Sequence, residues 1–153
     1  MTSLILMIGL PGSGKSTKSK ELAEEYNAEI ISTDAIRAEI VGKEGDMSQD
    51  SQVFQAAYNR CRNFLIAGKS VVFDACNITV GARRRVLACA QGLYNVEKIG
   101  YVMAADVWKC IERDSKRDRV CGQGVILSYA ESYVFPKMME GFTEIRRERP
   151  NFR

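Results

Sequence analysis

The sequence predicts an α/β fold in which a parallel sheet carries helices on both faces. Short apolar runs typical of buried strands alternate with longer segments whose apolar residues recur at helical spacing. The first run, Leu4–Ile8, is continuously apolar, as expected of a strand covered on both faces. Gly9, Asp34 and Asp74 each follow closely after such a run, and parallel sheets bind ligands beyond the carboxyl ends of their strands. We therefore expect a single domain over residues 1–153 with one site at that edge.

The first half of the chain predicts three strands and three helices with recognisable ends. Asn27, Gly42 and Gly68 are residues that favour the left-handed conformation at helix ends. Thr33 or Asp34 is expected to cap the second helix, because a side-chain oxygen can accept a bond from a free amide there. The predicted elements are strands at 4–8, 28–32 and 70–74, helices at 15–26, 35–41 and 52–67, and a polar loop at 43–51.

The second half continues the alternation. It contains a glycine-bearing basic segment over residues 118–124, which interrupts the helical pattern. The last residues, 147–153, are expected to be loosely held, as chain ends often are. The predicted elements are helices at 83–93, 106–117 and 125–138 and strands at 96–103 and 144–146, the last of them at the sheet edge.

The residues after the first strand match a phosphate-binding loop. Residues 9–16 read GLPGSGKS and fit G-x-x-x-x-G-K-[ST] at every fixed position. Glycines let successive backbone N–H groups turn toward a phosphate, and the following helix adds its N-terminal dipole. Lys15 is expected on the β- and γ-phosphates, and Ser16 on Mg²⁺. The predicted nucleotide-binding residues of the loop are Gly9, Pro11, Gly12, Ser13, Gly14, Lys15, Ser16 and Thr17.

Three charged side chains at strand ends are candidates for the acceptor side of the site. Asp34 has the position of a carboxylate that accepts a proton from a hydroxyl or holds a Mg²⁺-bound water; a helix cap is the alternative. Arg37, on the same helical face, is a candidate for gripping an acceptor phosphate, or a solvated surface arginine. Asp74 ends the strand VVFD and is expected to hold Mg²⁺ through water or to orient an arginine. The predicted metal site is therefore Ser16 with Asp34 or Asp74 through water.

A basic cluster before the second-half glycines predicts a lid over residues 113–124. Arg113 and Arg117 are four residues apart and so share a helical face, with Lys116 and Arg119 beside them. An arginine supplied in this way stabilises the charge that develops during phosphoryl transfer, and a closing lid excludes water. A charged helix end is the alternative interpretation. Two other basic groups, at 83–85 and at 146, 147 and 149, are expected on solvated faces.

The amino-acid composition excludes several kinds of catalytic and metal site. The chain has no histidine, which excludes histidine-based catalysis and histidine-ligated metal. The five cysteines are widely spread and include no C-x-x-C pair, which argues against a disulfide framework or a zinc site and is typical of a reducing cytoplasm. No apolar run approaches the ~20 residues of a membrane span, and no signal peptide is recognisable, so we expect no membrane contact.

Several motifs together resemble the P-loop polynucleotide 5′-hydroxyl kinases, the kinase modules of phage and bacterial end-healing enzymes within the larger adenylate-kinase-like group. The resemblance covers residues 4–145. The phosphate loop is specific for nucleotide binding alone, whereas the combination with the other motifs is more specific for this branch. The motifs are GLPGSGKST, STDAIR, GKSVVFDACNIT followed by ARRR, ERDSKR, and the closing E-G-F-x-E-I.

The resemblance implies a role for each matching residue. Asp34 would be the general base on the 5′-hydroxyl, and Arg37 would bind the phosphate on the 3′ side of the acceptor nucleoside. Asp74 would support the site, and Arg117, with Arg113 nearby, would be the lid arginine on the donor phosphates. ATP and Mg²⁺ would be required. The chain lacks the D-x-D-G-T signature of the 3′-phosphatase domain found in the bifunctional phage enzyme, so a stand-alone kinase is implied.

The predicted function is ATP-dependent transfer of the γ-phosphate to the 5′-hydroxyl end of DNA or RNA. One alternative is a kinase of the same group that acts on a small hydroxyl compound such as a sugar, nucleoside or antibiotic, because acceptor specificity is expected to depend on the variable region 43–62. A second is a non-catalytic nucleotide-binding module. The sequence leaves the preference for DNA or RNA, the donor base and the oligomeric state open.

Overall fold

The centre of the protein is a parallel sheet of five strands in the order β2-β3-β1-β4-β5. The computed structural model describes residues 1–42, 48–104, 106–118 and 120–148. The strands are β1 Thr2–Ile8, β2 Glu29–Ser32, β3 Val71–Asp74, β4 Val96–Val102 and β5 Glu144–Arg147. The predicted parallel sheet and its edge strand at 144–146 are thus confirmed, with β1 at the centre as its continuous apolar run requires.

Six α-helices connect and cover the strands in the described part of the chain. They are α1 Lys15–Tyr26, α2 Thr33–Val41, α3 Asp50–Ile66, α4 Val80–Leu87, α5 Val107–Ser115 and α6 Gln123–Ser132. None of them is long and apolar enough to cross a bilayer, within the ranges just given.

Successive residues of the strands divide the core between the two faces of the sheet. Leu4, Leu6 and Ile8 of β1 belong to the cluster that includes α3 and α4, whereas Ile5 and Met7 belong to the cluster that includes α1. A third, smaller cluster joins the phosphate loop to α5 and α6 through Leu10, Cys110 and Ile126. The sheet is therefore covered on both faces, and the loop after β1 packs against a separate apolar cluster.

Several predicted ends differ from the structure. Ser32, rather than Thr33 or Asp34, caps α2, because its side chain accepts a 3.2 Å bond from the amide of Ala35. The helix predicted at 83–93 begins at Val80 behind a Thr79 cap and ends at Leu87, where a 3₁₀ turn follows. The helix predicted at 125–138 is α6, which ends at Ser132. Residues 43–47 of the predicted loop and 149–153 of the tail lie outside the described residues.

Candidate active site

The glycines of the phosphate loop allow it to pack closely against α5. Gly12 and Gly14 have φ angles of +82° and +90°, a backbone conformation that costs little only for glycine. A Cβ on Gly12 would lie 2.4 Å from the carbonyl oxygen of Cys110, so the loop and α5 approach each other too closely for any larger residue. The Ser13 hydroxyl is buried beside Gly9 and has no hydrogen-bond partner among the described residues. The loop thus has the positive-φ glycine backbone that a phosphate-binding loop needs, and it leads directly into α1.

Lys15 lies in the first turn of α1 and folds back over the loop. Its ammonium group donates a 2.9 Å hydrogen bond to the carbonyl of Leu10. An ammonium has three N–H donors, so this bond holds the side chain over the loop while leaving capacity for an anion. Lys15 also lowers the pKa of the nearby Asp74 carboxyl. Its positive charge therefore lies between the loop and the end of β3.

Ser16 and Asp74 form a pair of oxygen ligands. The Ser16 hydroxyl donates a 3.0 Å hydrogen bond to Asp74 Oδ2. Asp74 is only 8% exposed, and this burial raises its pKa, against the opposing effects of Lys15 and the Ser16 hydroxyl. A buried carboxylate beside a hydroxyl is a hard, oxygen-only donor set of the kind that suits Mg²⁺. The two residues predicted for the metal are therefore in contact and chemically fit it.

Arg37 is held between two carboxylates rather than exposed to solvent. It is 3% exposed, so the surface alternative for this residue is wrong. One NH group donates to Asp34 Oδ1 at 2.6 Å, while Nε donates to Asp50 Oδ1 at 2.9 Å. The second NH group donates to the other oxygen of Asp50 at 3.3 Å, which makes that pair bidentate. Asp50, at the start of α3, was not singled out from the sequence, because its link to Arg37 crosses the segment between two helices.

The strand register brings these groups to one edge of the sheet. Ser32 of β2 lies opposite Asp74 of β3, so Asp34 is only two residues beyond the partner of Asp74. The neighbouring pairing of β1 with β3 puts the phosphate loop on the other side of Asp74. Consistent with this arrangement, both Asp34 and Arg117 influence the pKa of the Asp74 carboxyl. Donor-side and acceptor-side candidates therefore meet around Asp74.

The predicted lid arginines lie at the end of α5, next to an acidic residue that the sequence analysis passed over. Asp114 is 1% exposed and accepts bonds from the backbone amides of Cys121 and Gly122 at 3.0 and 2.9 Å. Arg117 lies 3.5 Å from the same carboxylate and is half-buried, whereas Arg113 is exposed. Asp114 thus ties the glycine-bearing segment back onto α5. The sequence signal for this role of Asp114 was an acidic residue inside an otherwise basic cluster. Arg119 lies outside the described residues.

Arg83 corrects one sequence prediction. It is fully buried, not solvated, and makes bonds of 2.7 and 3.2 Å to the two oxygens of Glu140. Its remaining NH group donates to the carbonyl of Asn77 at 2.9 Å, and Asn77 in turn donates to the carbonyl of Met7 at 2.8 Å. These bonds fix the segment that follows Asp74 against β1.

The other basic side chains of the two groups lie mainly outside the core. Arg84 and Arg85 are exposed, as predicted. Arg146 is partly exposed, bonds Glu144 and lies over the ring of Tyr26. Arg147, exposed like the pair on α4, lies 4.3 Å from the ring centroid of Phe135. Arg149 lies outside the described residues.

An apolar cavity of about 660 Å³ opens beside the start of the phosphate loop. Gly9 and Leu10 form one wall, and the end of β4 and the last turn of α6 form others. Tyr133 and Arg147 contribute polar groups to this lining. Its volume lies within the range of small-molecule sites and is large enough for an aromatic base.

Comparison with known proteins identifies the family. The family model AAA_33, described as an AAA domain, matches residues 4–143, which is nearly the whole chain. The protein belongs to this AAA domain family. Together with the parallel sheet and the loop after β1, the match establishes a P-loop kinase fold.

Among curated proteins, the AAA domain resembles adenylate kinases. It is 41% identical over 81 residues to the adenylate kinase of Thermococcus sibiricus, covering 42% of the chain and 36% of that relative. It is 27% identical over 132 residues to the adenylate kinase of Trichomonas vaginalis, covering 78% of the chain and 55% of that relative. The chain thus spans between about a third and just over half of these relatives.

Solved structures similar to the AAA domain have different described activities. A putative kinase from Chloroflexus aurantiacus has a TM-score of 0.73 at 18% identity, over 95% of this chain and 88% of that one. A chain of the Pnkp1/Rnl/Hen1 RNA repair complex has a TM-score of 0.71 at 19% identity, over 86% and 43%. A gluconokinase from Sinorhizobium meliloti has a TM-score of 0.63 at 18% identity, over 95% and 81%. At these identities the likeness concerns the fold.

Proposed function

We propose that the protein is an ATP- and Mg²⁺-dependent kinase that phosphorylates the 5′-hydroxyl ends of DNA or RNA, acting in the repair of nucleic-acid ends. The observation that carries this proposal is the Asp34–Arg37 pair, joined at 2.6 Å at the sheet edge where Ser16 and Asp74 also meet. A positioned carboxylate beside a donor-phosphate loop can accept the proton of an attacking hydroxyl, and the arginine holds this carboxylate in place.

Each side chain then has a defined task. Lys15 binds the donor phosphates, while Ser16 and Asp74 would hold Mg²⁺, which would neutralise charge on the phosphates. Asp34 accepts the proton of the attacking hydroxyl, and Arg37 fixes the direction of that carboxylate. Arg117, half-buried at the end of α5, reaches the transferring group when the lid segment closes. Positioning and electrostatics supply the acceleration, because the transition state demands little covalent chemistry of the protein.

The nucleic-acid acceptor is supported by the combination of motifs, and a structural neighbour belongs to an RNA repair complex. In the proposed complex, Arg37 contacts the phosphate that follows the 5′-terminal nucleoside. The five cysteines are free thiols, which supports the proposed cytoplasmic location.

One observation favours a second candidate, a small neutral acceptor such as a sugar. Arg37 is almost fully buried and serves two carboxyl groups, Asp34 and Asp50, with both edges of its guanidinium. An acceptor phosphate has to compete with the bidentate Asp50 pair for that guanidinium, whereas an uncharged hydroxyl compound does not. A gluconokinase is among the structural neighbours.

A parallel acceptor assay distinguishes the two candidates. The purified protein is given ATP labelled in the γ-phosphate and Mg²⁺, with 5′-hydroxyl DNA, 5′-hydroxyl RNA or a panel of sugars and nucleosides as acceptor. The proposal expects label on the oligonucleotides and its loss in Arg37→Ala. Label on a sugar and none on any oligonucleotide would favour the second candidate. ATP bound but no acceptor labelled would favour a non-catalytic module.

A further inference from the structure

A second cavity, of about 740 Å³, lies between α3 and α4 and is outside the site described above. Asp50 and Ala82, at the starts of the two helices, line it at the sheet edge that carries the active site. Because Asp50 is also the bidentate partner of Arg37, the groove begins at the residue proposed to meet the acceptor. It is therefore continuous with the acceptor side of the site rather than a separate hollow.

Aromatic rings form the α3 wall of this groove. Phe54 and Tyr58 are both partly exposed, with ring centroids 6.1 Å apart and planes tilted by 45°. Tyr58 also stacks on the buried ring of Phe73 at 6.0 Å, which fixes its orientation against the core. Exposed aromatic faces held in place in this way accept a planar base without regard to its identity.

Arg85 provides positive charge on the α4 wall. Arg85 and Tyr58 line the same cavity. Burial raises the pKa of the Tyr58 phenol, and the positive charge of Arg85 acts in the opposite direction. Among the described residues no carboxylate lies within ion-pair distance of Arg85, and the side chain is exposed. The nearby Arg62 is instead bound to the carbonyls of Cys89 and Gln91 at 3.0 and 2.6 Å. Arg85 is thus the cation of the groove that a ligand anion can reach.

The length of the groove suits a polymeric acceptor that extends from the site at Asp34 and Arg37. Tyr58 is eight residues beyond Asp50 on α3, a rise of about 12 Å along the helix. A single hydroxyl compound held at Asp34 and Arg37 would leave this length of groove empty. A polymer with a planar ring and an anion in each unit would fill it.

We propose that the groove between α3 and α4 binds the single-stranded continuation of a nucleic-acid acceptor on the 3′ side of its terminal nucleoside. The base packs on Phe54 and Tyr58, and a backbone phosphate pairs with Arg85. This inference rests on the proposed function and adds to it the place where the acceptor strand lies beyond its terminal nucleoside. It makes acceptor affinity dependent on length.

The test compares Arg85→Ala with Arg84→Ala, an exposed neighbour on α4 that does not line the groove. The acceptors are a nucleoside 3′-monophosphate and a 5′-hydroxyl hexanucleotide. We expect the hexanucleotide to have the lower KM in the unmodified protein, and Arg85→Ala to raise that KM about fivefold to tenfold. Loss of one phosphate contact should also reduce the slope of log KM against log salt by about 0.7. The KM for ATP and for the mononucleotide should not change.

Two results would overturn the groove assignment while leaving the proposed function intact. These are equal KM values for the two acceptors, and equal effects of the Arg85 and Arg84 substitutions. A separate binding experiment measures the fluorescence anisotropy of the hexanucleotide, carrying a fluorophore at its 3′ end, in the absence of ATP. If no acceptor is phosphorylated but the hexanucleotide binds and Arg85→Ala alone weakens it, the groove assignment stands and the proposed function fails.

Discussion

The buried pair of Arg83 and Glu140 gives a quantitative prediction for the segment behind the active site. Arg83 is fully buried and the Glu140 side chain is 10% exposed. The replacement Glu140→Gln retains the shape and one acceptor oxygen but removes the negative charge. Arg83 would then be a buried cation without its counter-charge, which is more costly than losing a single hydrogen bond.

The expected magnitude follows from this burial. Removing one partner of a buried ion pair costs about 3–5 kcal/mol of unfolding free energy. For a chain of 153 residues, each kcal/mol lowers Tm by roughly 2–4 °C, so we expect a fall of about 6–20 °C. The double variant Arg83→Met with Glu140→Leu removes both charges and should recover most of that loss, because apolar replacement of a buried pair is often neutral.

Urea and thermal unfolding followed by circular dichroism measure this effect. Arg84→Met is the matched control, since Arg84 is exposed, and should change stability by no more than about 0.5 kcal/mol. A Glu140→Gln protein within that same margin would refute the reasoning. So would a double variant that is destabilised by the sum of the two single changes.

The same pair predicts a pH dependence with a defined sign. Burial alone would raise the pKa of Glu140, but bonds from Arg83 and from the Lys137 amide hold it below its usual range. A lowered pKa in the folded state stabilises the protein above the ordinary glutamate pKa of about 4.3, and this stabilisation is lost as the pH falls. Unfolding between pH 6 and 3 should therefore show a smaller acid destabilisation in the double variant than in the unmodified protein.

Three further substitutions test the two sides of the site. Gly12→Ala should lose nucleotide binding and stability, because its Cβ would lie 2.4 Å from the Cys110 carbonyl oxygen. Unchanged ATP affinity in a calorimetric titration, together with an unchanged Tm, would contradict this. Asp50→Asn should lower the KM for a phosphate-bearing acceptor about twofold to fivefold by releasing Arg37, with no change for a neutral acceptor. Asp74→Asn should lower the transfer rate about 10²-fold. It should not lower Tm, because burial raises the pKa of Asp74 and the ionised carboxylate therefore costs stability at neutral pH. A reduced Tm would refute the expected direction of the stability change.

Local patterns were sufficient to predict the sheet and to place the glycine-rich loop and Asp74 at the same edge of it. A continuous apolar run followed by a glycine-rich loop and a helix specifies its own geometry, and parallel strands necessarily bring their carboxyl ends together. The proximity of Asp34 to Asp74 follows from that rule and is seen in the register of β2 with β3. The contact of Ser16 with Asp74 has the same origin.

Partners distant in sequence could not be predicted in this way. Arg83 and Glu140 are 57 residues apart, and no local pattern distinguishes Arg83 from Arg84. The distinction depends on the phase of α4, which begins at Val80 rather than at Arg83 and so directs Arg83 inward. Asp50 likewise meets Arg37 only once α3 packs on α2.

The central claim is tested most directly by end-labelling in the presence and absence of the Asp34 carboxylate. Labelled γ-phosphate is offered with Mg²⁺ to a 5′-hydroxyl oligonucleotide and to the same oligonucleotide already 5′-phosphorylated. We predict label on the 5′-hydroxyl end alone, and its loss in Asp34→Asn with ATP binding intact. Full transfer by Asp34→Asn, or no transfer to either oligonucleotide by a protein that binds ATP, would contradict it.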